Sequence, residues 1–297
     1  MNSLLPVILF IYLHFILTMT KPTLTLEPAC KTRCGTLDVK YPFGTGPGCG
    51  SPRFHPYVAC SPDGTQLLLT THTGSYPITS ISYADSTLTI SPPCMSNCTS
   101  MQPAPPKFGL DWAGPFQLGS STFILLACSS STIKGNPICD PSSAYLCPSI
   151  YTCPGVVSLG LPLFPPTNSC CVYSPANLNS NVELDIRELK CAGYTSVVSL
   201  GDLPTNPGQW LYGVALKYTL GGLDSYNIAP SCRACEMSGG VCGYSPPRNY
   251  FVCVCANGNT TTDCYSYSWI ITTSSSLQYS RDLQLGILAI FVFFIVI

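Results

Sequence analysis

Nineteen cysteines in 297 residues constrain this chain more than any other feature. Cysteines at that density mean disulfides outside the cell and metal or redox groups inside it, so the compartment decides their chemistry. Residues 4–17 read LLPVILFIYLHFIL, an apolar run of signal-peptide length that lacks a basic lead and contains His14. A leader over residues 1–20 is expected, with cleavage near Thr20, where Thr18 and Thr20 stand in for the usual small residues. All 19 cysteines follow it, which makes them a disulfide framework with one thiol left free or bonded to another chain. Zinc or thioredoxin-like chemistry at Cys232-Arg-Ala-Cys235 or Cys253-Val-Cys255 is disfavoured, because the thiols would have to stay reduced and His55 and His72 alone remain as imidazole ligands. Spacing does not give the connectivity.

The far end carries a second processed-looking segment. Ser274–Ser276 are small, Leu277–Gln284 form a polar spacer with Arg281 and Asp282, and Leu285–Ile297 are apolar without interruption. Thirteen apolar residues fall short of the roughly 20 that span a bilayer, and the order matches a lipid-anchor signal with attachment at Ser274. The alternative is a single membrane-spanning helix, truncated. Asn97-Cys98-Thr99 and Asn259-Thr260-Thr261 are glycosylation sequons, which suit exposed positions of a secreted chain.

Between these ends the pattern is β. QLLLTT (66–71), ITSISY (78–83) and TLTI (87–90) are short and apolar or β-branched, with Gly, Pro, Asp or Ser between them. FILLA (123–127) reads as a buried strand and VELDI (182–186) alternates. WLYGVALKYTL (210–220) sets Trp210, Tyr212, Val214, Leu216, Tyr218 and Leu220 on one face. No stretch inside the termini has a helical period. Proline-rich QPAPPK (102–107) and the stretch 223–230 read as boundaries, dividing the chain into 21–100, 101–222, a cysteine-rich module at 223–266 and a linker with anchor signal at 267–297. The expected fold class is mostly β: small disulfide-rich extracellular domains with an EGF-like C-terminal module.

Catalytic and nucleotide motifs are missing. GTGPGCG (44–50) puts Cys49 where a dinucleotide fingerprint needs its third glycine. Gly-Lys, G-x-S-x-G and HExxH do not occur. Glu183, Asp185 and Glu188 are the densest carboxylates, but on a strand Glu183 and Asp185 face solvent rather than flank a cleft. A net charge of −1 gives no field for nucleic acid. No enzyme activity and no cofactor are expected.

The glycine-rich stretch has a structural reading, in which its glycines and Pro42 and Pro47 let Cys34, Cys49 and Cys60 approach. Charge adds a functional one. Residues 30–60 hold Lys31, Arg33, Lys40 and Arg53, four of 13 basic residues, against Asp38 alone of 14 acids. Tyr41, Phe43, Phe54 and Tyr57 interleave with them. Guanidinium and ammonium groups beside aromatic rings suit an anionic sugar polymer.

CKTRCG, VKYPFGTGPGCGSPRFHPYVAC and the strand pair ending in TLTI, spanning Cys30, Cys34, Cys49, Cys60 and Cys94, resemble the galacturonan-binding domain of plant wall-associated receptor kinases. CRACEMSGGVCGY…FVCVC…C, with Cys232, Cys235, Cys242, Cys253, Cys255 and Cys264, resembles the cysteine-rich module that accompanies it, and its CVCANG…C ending looks like half of an EGF-like unit without a calcium signature. The resemblance implies non-catalytic pectin binding at the outer plasma-membrane face or cell wall. Lys31, Arg33, Lys40, Arg53 and His55 are the expected contacts and Tyr41 and Tyr57 the stacking rings. Calcium bridging of the polymer has no assignable ligands. Those kinases continue into a catalytic domain, so a signal carried by this chain would pass through a partner such as a receptor kinase. The alternatives are a co-receptor for a peptide or receptor ectodomain, and a structural or defensive wall protein.

Overall fold

A computed structural model describes residues 30–103, 107–111, 113–173, 183–185, 189–221 and 227–265. The expected leader, Ser274 and the apolar tail lie outside them, as do the side chains of Glu183, Asp185 and Glu188. Among the described residues no helix is long and apolar enough to cross a membrane.

Eighteen cysteines form nine disulfides in three groups. Cys30–Cys49 and Cys34–Cys60 staple the N-terminal part. Cys98–Cys153, Cys128–Cys191, Cys139–Cys171 and Cys147–Cys170 staple the middle. Cys232–Cys242, Cys235–Cys253 and Cys255–Cys264 pair first with third, second with fourth and fifth with sixth in the C-terminal module. Each crosslink removes chain entropy from the unfolded state, typically about 2–4 kcal/mol. Cys94, expected in the framework, is instead the free thiol. It sits at φ +62° in the tight turn after Pro92–Pro93, half-buried beside Tyr194, and every other sulfur is already paired.

Strands β1 (Arg33–Cys34) and β2 (Leu37–Asp38) make a small hairpin. β3 (Val58–Cys60), β4 (Leu67–Thr71), β5 (Gly74–Ser82) and β6 (Thr87–Ile90) follow as an antiparallel run. Then come β7 (Lys107–Gly109), β8 (Phe116–Leu118), β9 (Thr122–Cys128), β10 (Cys171–Tyr173), β11 (Glu183–Asp185), β12 (Cys191–Ser199), β13 (Leu211–Tyr212) and β14 (Val214–Tyr218). The C-terminal module holds β15 (Val241–Ser245), β16 (Tyr250–Cys255) and β17 (Gly258–Thr260). The main sheet has the order β3-β4-β5-β6-β14-β8, and a second sheet the order β10-β9-β12-β13.

The main sheet therefore crosses the boundary expected near residue 100: β14 pairs with β6 on one side and β8 on the other. Cys98–Cys153 crosses it as well. Leu67, Leu69, Leu88, Ile90, Val214, Leu216 and Tyr218 point inward at alternate positions into a core shared with Phe43, Phe54 and Phe116. Each such side chain contributes about 1.5–3 kcal/mol on burial. β9 does not alternate because both of its faces are covered. Phe123 and Leu125 enter this core, whereas Ile124 and Leu126 enter a second one with Ile150, Tyr151 and Trp210.

WLYGVALKYTL turns a corner at Gly213, which has φ +152° and leaves no room for a Cβ, since one would sit 2.4 Å from Thr89 Cγ2. β13 thus joins one sheet and β14 the other while the expected face stays inward. Helices absent from the sequence reading are α1 (Ser130–Ile133), α2 (Leu146–Ile150) and α3 (Ala229–Met237). The first two are a single turn each, and α3 is pinned by Cys232 and Cys235 rather than by an apolar stripe.

Candidate functional site

The glycine-rich loop is a seam. Gly50 N–H donates to Cys242 O at 2.7 Å, Tyr244 N–H donates to Gly48 O at 2.9 Å, and Cys49 bridges Gly243 across the two segments. Backbones meet this closely only without side chains: a Cβ on Gly243 would lie 2.3 Å from Gly48 O. Gly48 and Gly50 also have φ of +79° and +68°. The Cys30–Cys49 disulfide packs on Val252 and Val254 of the C-terminal module. Gly48 and Gly50 thus serve the fold, but at the contact with residues 242–244, while Cys49 pairs with Cys30 and Cys34 with Cys60.

Beside the seam stands the β1–β2 hairpin. Its register pairs Arg33 with Asp38, and Val39 N–H donates to Thr32 O, so the same register continued sets Lys31 across from Lys40. Cys34 and Val39 face inward, leaving Lys31, Arg33, Asp38 and Lys40 exposed. Arg33 Nε meets Asp38 Oδ1 at 3.1 Å with both side chains about two-thirds exposed, and Arg33 Nη2 donates to Thr36 O. Tyr83 fixes the second strand: its hydroxyl donates to Asp38 O and accepts from Lys40 N–H. Burial, the largest influence, pushes the Tyr83 phenol up to about 12, so it stays a neutral donor.

Two clefts flank Arg33. One, of ≈ 260 Å³, lies between the hairpin and the C-terminal module and is lined by Arg33, Asp38, Lys40, Glu236 and Gly240 among others. The other, of ≈ 320 Å³, is lined by Lys31, Arg33, Thr45, Ser61 and Asp63 among others. Their carboxylates are engaged. Asp38 holds Arg33, and Glu236 accepts from Tyr41 N–H at 3.1 Å. Asp63 accepts from the Ser61 hydroxyl at 2.5 Å and from the Thr65 hydroxyl and amide. The Ser61 bond first, then those from Thr65, hold the Asp63 carboxyl below its ordinary range. Among the described residues neither Lys31 nor Lys40 makes an ion pair.

The remaining expected contacts are elsewhere. Arg53 is exposed, with Nη1 against Gly221, and lines neither cleft. His55 is half-buried, its ring 6.2 Å from Tyr244 and its Nδ1 enclosed without a hydrogen-bond partner. Tyr41 packs on the C-terminal disulfides and Tyr57 edge-on to Phe116, both half-buried. Phe43 and Phe54 are core residues in edge contact, closed to any sugar. Asn259 is exposed, while Asn97 is half-buried with its side-chain oxygen accepting from Thr99 and Ser100.

Sequence reasoning missed Glu236, Gly239 and Gly240 as partners of the hairpin, because about 200 residues separate them from it and no local signal marks the approach. It also missed the His72–Asp111 hydrogen bond, with Nδ1 to Oδ1 at 2.5 Å, which joins the β4–β5 turn to the segment after β7. The Cys232/Glu236/Cys242 and Cys253/Cys255/Cys264 groups have ligand atoms near one another, but every sulfur in them is already in a disulfide, so neither fits a metal.

Residues 30–92 match the wall-associated receptor kinase galacturonan-binding family, and residues 211–258 match the wall-associated receptor kinase C-terminal family. Wall-associated receptor kinase-like 20 of Arabidopsis thaliana is 28% identical over 213 residues, which is 70% of this chain and 30% of that relative. No solved structure matches. Both clefts draw on the first matched region, and the one beneath Lys40 also draws on the second. The chain thus carries two regions similar to wall-associated receptor kinase domains, and it spans about 30% of the length of the relative that it matches.

Proposed function

We propose that this protein binds acidic cell-wall polysaccharide of the galacturonan type outside the cell, without catalysis, along the Lys31–Arg33–Lys40 face. The observation that supports it best is three exposed cations on one hairpin inside a region matching a galacturonan-binding family. A polymer carboxylate would compete with Asp38 for the Arg33 fork, and the two lysines would take carboxylates on either side as point charges. Each exposed contact is worth about 0.2–1 kcal/mol. Useful affinity therefore comes from the repetition of carboxylates along the polymer. Tyr41 and Tyr57 are half-buried, so stacking is secondary in this reading. Arg53 and His55 are outlying contacts at most. Attachment to the outer plasma-membrane face through Ser274 or a spanning helix, glycans at Asn97 and Asn259, and a receptor-kinase partner belong to the same proposal.

The test is polymer charge. De-esterified galacturonan should bind, binding should fall as salt is raised, and fully methyl-esterified galacturonan should bind poorly. Equal binding to both polymers would overturn the reading. A second reading, a protein-interaction ectodomain, draws on an apolar loop in the middle region, where Val157 and Leu163 are 56% and Phe164 68% exposed. Capture of a receptor ectodomain that Leu163→Asp/Phe164→Asp abolishes, with no polymer binding, would favour it.

A further inference from the structure

The sulfurs of the C-terminal module are arranged for more than bracing. Gly240, in the turn between α3 and β15, has three sulfurs beneath it. A Cβ there would lie 2.5 Å from Cys253 Sγ, 2.6 Å from Cys264 Sγ and 2.8 Å from Cys235 Sγ. These belong to two different disulfides, Cys235–Cys253 and Cys255–Cys264. Across them Cys253 Sγ stands 3.6 Å from Cys264 Sγ and 3.8 Å from Cys255 Sγ, which is van der Waals contact. Cys235 and Cys253 are fully buried, whereas Cys264 is half-buried and follows the β17 edge. A reductant from solvent therefore meets Cys264 first.

We propose that the cluster beneath Gly240 is a thiol–disulfide exchange site, in which reduction of Cys255–Cys264 by a small thiol or dithiol reductant is passed on to Cys235–Cys253. The reductant thiolate attacks Cys264 Sγ, and the Cys255–Cys264 bond breaks with its electron pair going to Cys255. A second reductant thiolate attacks the reductant sulfur of that mixed disulfide, releasing Cys264 as thiolate and leaving the reductant as its own disulfide. Cys264 then attacks Cys253 Sγ, 3.6 Å away. The Cys253–Cys264 bond forms, the Cys235–Cys253 bond breaks, and Cys235 leaves as a thiolate that takes a proton from water. Two electrons enter and one disulfide is lost, yet the free thiols end on Cys235 and Cys255. Cys255 is the weaker second attacker: two residues along one strand put its Cα about 6.6 Å from that of Cys253, near the limit a disulfide spans.

The exchange reaches the cleft floor. Cys235–Cys253 is the bond that fastens α3 to β16, and α3 carries Glu236, which holds Tyr41 N–H. After exchange α3 keeps Cys232–Cys242 but loses its tie to the central strand. This inference stands independently of what the cleft binds.

Cys255→Ser tests it in the intact protein without any reductant, since it leaves Cys264 as a constitutive thiol beside Cys253. Alkylation under non-reducing conditions, followed by reduction, a second isotopic alkylation and peptide mass mapping, should place the first label several-fold more on Cys235 than on Cys264 and should find a Cys253–Cys264 linkage. Label on Cys264 with Cys235–Cys253 intact would overturn the proposal. Because that variant can fail to be secreted, the parent is also treated with limiting glutathione. First label on Cys255 and Cys235 supports the relay. First label on Cys255 and Cys264, or first on cysteines of the middle region, contradicts it.

Discussion

Gly243→Ala is the sharpest probe of the seam. In open space the change would stabilise a strand by about 0.5–1 kcal/mol, because glycine loses more backbone entropy on folding. Here the new methyl would sit 2.3 Å from Gly48 O, a backbone atom of a loop whose neighbour Cys49 is crosslinked to Cys30 and which cannot withdraw cheaply. Moving it strains the two hydrogen bonds of the seam, Gly50 N–H to Cys242 O and Tyr244 N–H to Gly48 O. At about 0.5–1.5 kcal/mol each, their loss outweighs the entropy gain, and overpacking adds about 1–3 kcal/mol. The net expectation is a destabilisation of about 2 kcal/mol, or roughly 4–8 °C in Tm. Denaturant unfolding with disulfides intact measures the total, and amide hydrogen exchange locates it at Gly50 and Tyr244. Gly46→Ala is the control, since nothing lies within 4 Å of its Cβ and it should be neutral or slightly stabilising. Unchanged stability in Gly243→Ala, with both amides still protected, would refute the account of the glycine-rich loop.

Three further outcomes follow from particular contacts. Asp38→Asn releases the Arg33 guanidinium, so binding of de-esterified galacturonan should tighten up to a few-fold while stability changes by less than about 1 kcal/mol; weaker binding would mean that Asp38 positions Arg33 instead. Tyr194→Phe removes a hydroxyl that is buried without a partner, so thermal unfolding should show stability unchanged or raised by about 1 kcal/mol, and a loss above that would reveal a partner for the hydroxyl. The bonds that lower the Asp63 pKa favour its ionised form, so their stabilisation is present above the unfolded-state pKa and is lost as pH falls through the lower folded one. Ser61→Ala should therefore move the Asp63 titration upward by NMR, and no movement would discount that hydrogen bond.

What could be read in advance was local. TLTI became β6 unchanged because alternation, β-branching and flanking turns all act within a few residues. FILLA was legible as buried, but not the reason, since the cores on its two faces are assembled from segments scattered along the chain. The proline-rich stretch near residue 100 signals a loop locally, but no local pattern tells that β14 inserts between β6 and β8 from far downstream. Cys94 was placed in the framework by position in a motif, whereas pairing depends on which sulfurs meet in space. The basic residues were identified as a group, yet only Lys31, Arg33 and Lys40 share a hairpin face, because Arg53 follows the glycine-rich loop to the Gly221 side. A third of the lining of the cleft beneath Lys40, Glu236, Gly239 and Gly240, comes from α3 and the turn after it, which no local pattern connects to the hairpin.

Equilibrium binding of de-esterified galacturonan to Lys31→Gln/Arg33→Gln/Lys40→Gln, set against Arg53→Gln, tests the central claim most directly. Three exposed contacts at about 0.2–1 kcal/mol each correspond to a loss of roughly three- to a hundred-fold, with a shallower salt dependence. Arg53→Gln, outside both clefts, should bind within about two-fold of the parent, since a lone exposed charge is worth little. A correctly disulfide-bonded triple variant that holds the polymer as tightly as the parent, or an Arg53→Gln variant that loses as much as the triple one, would contradict the hairpin site.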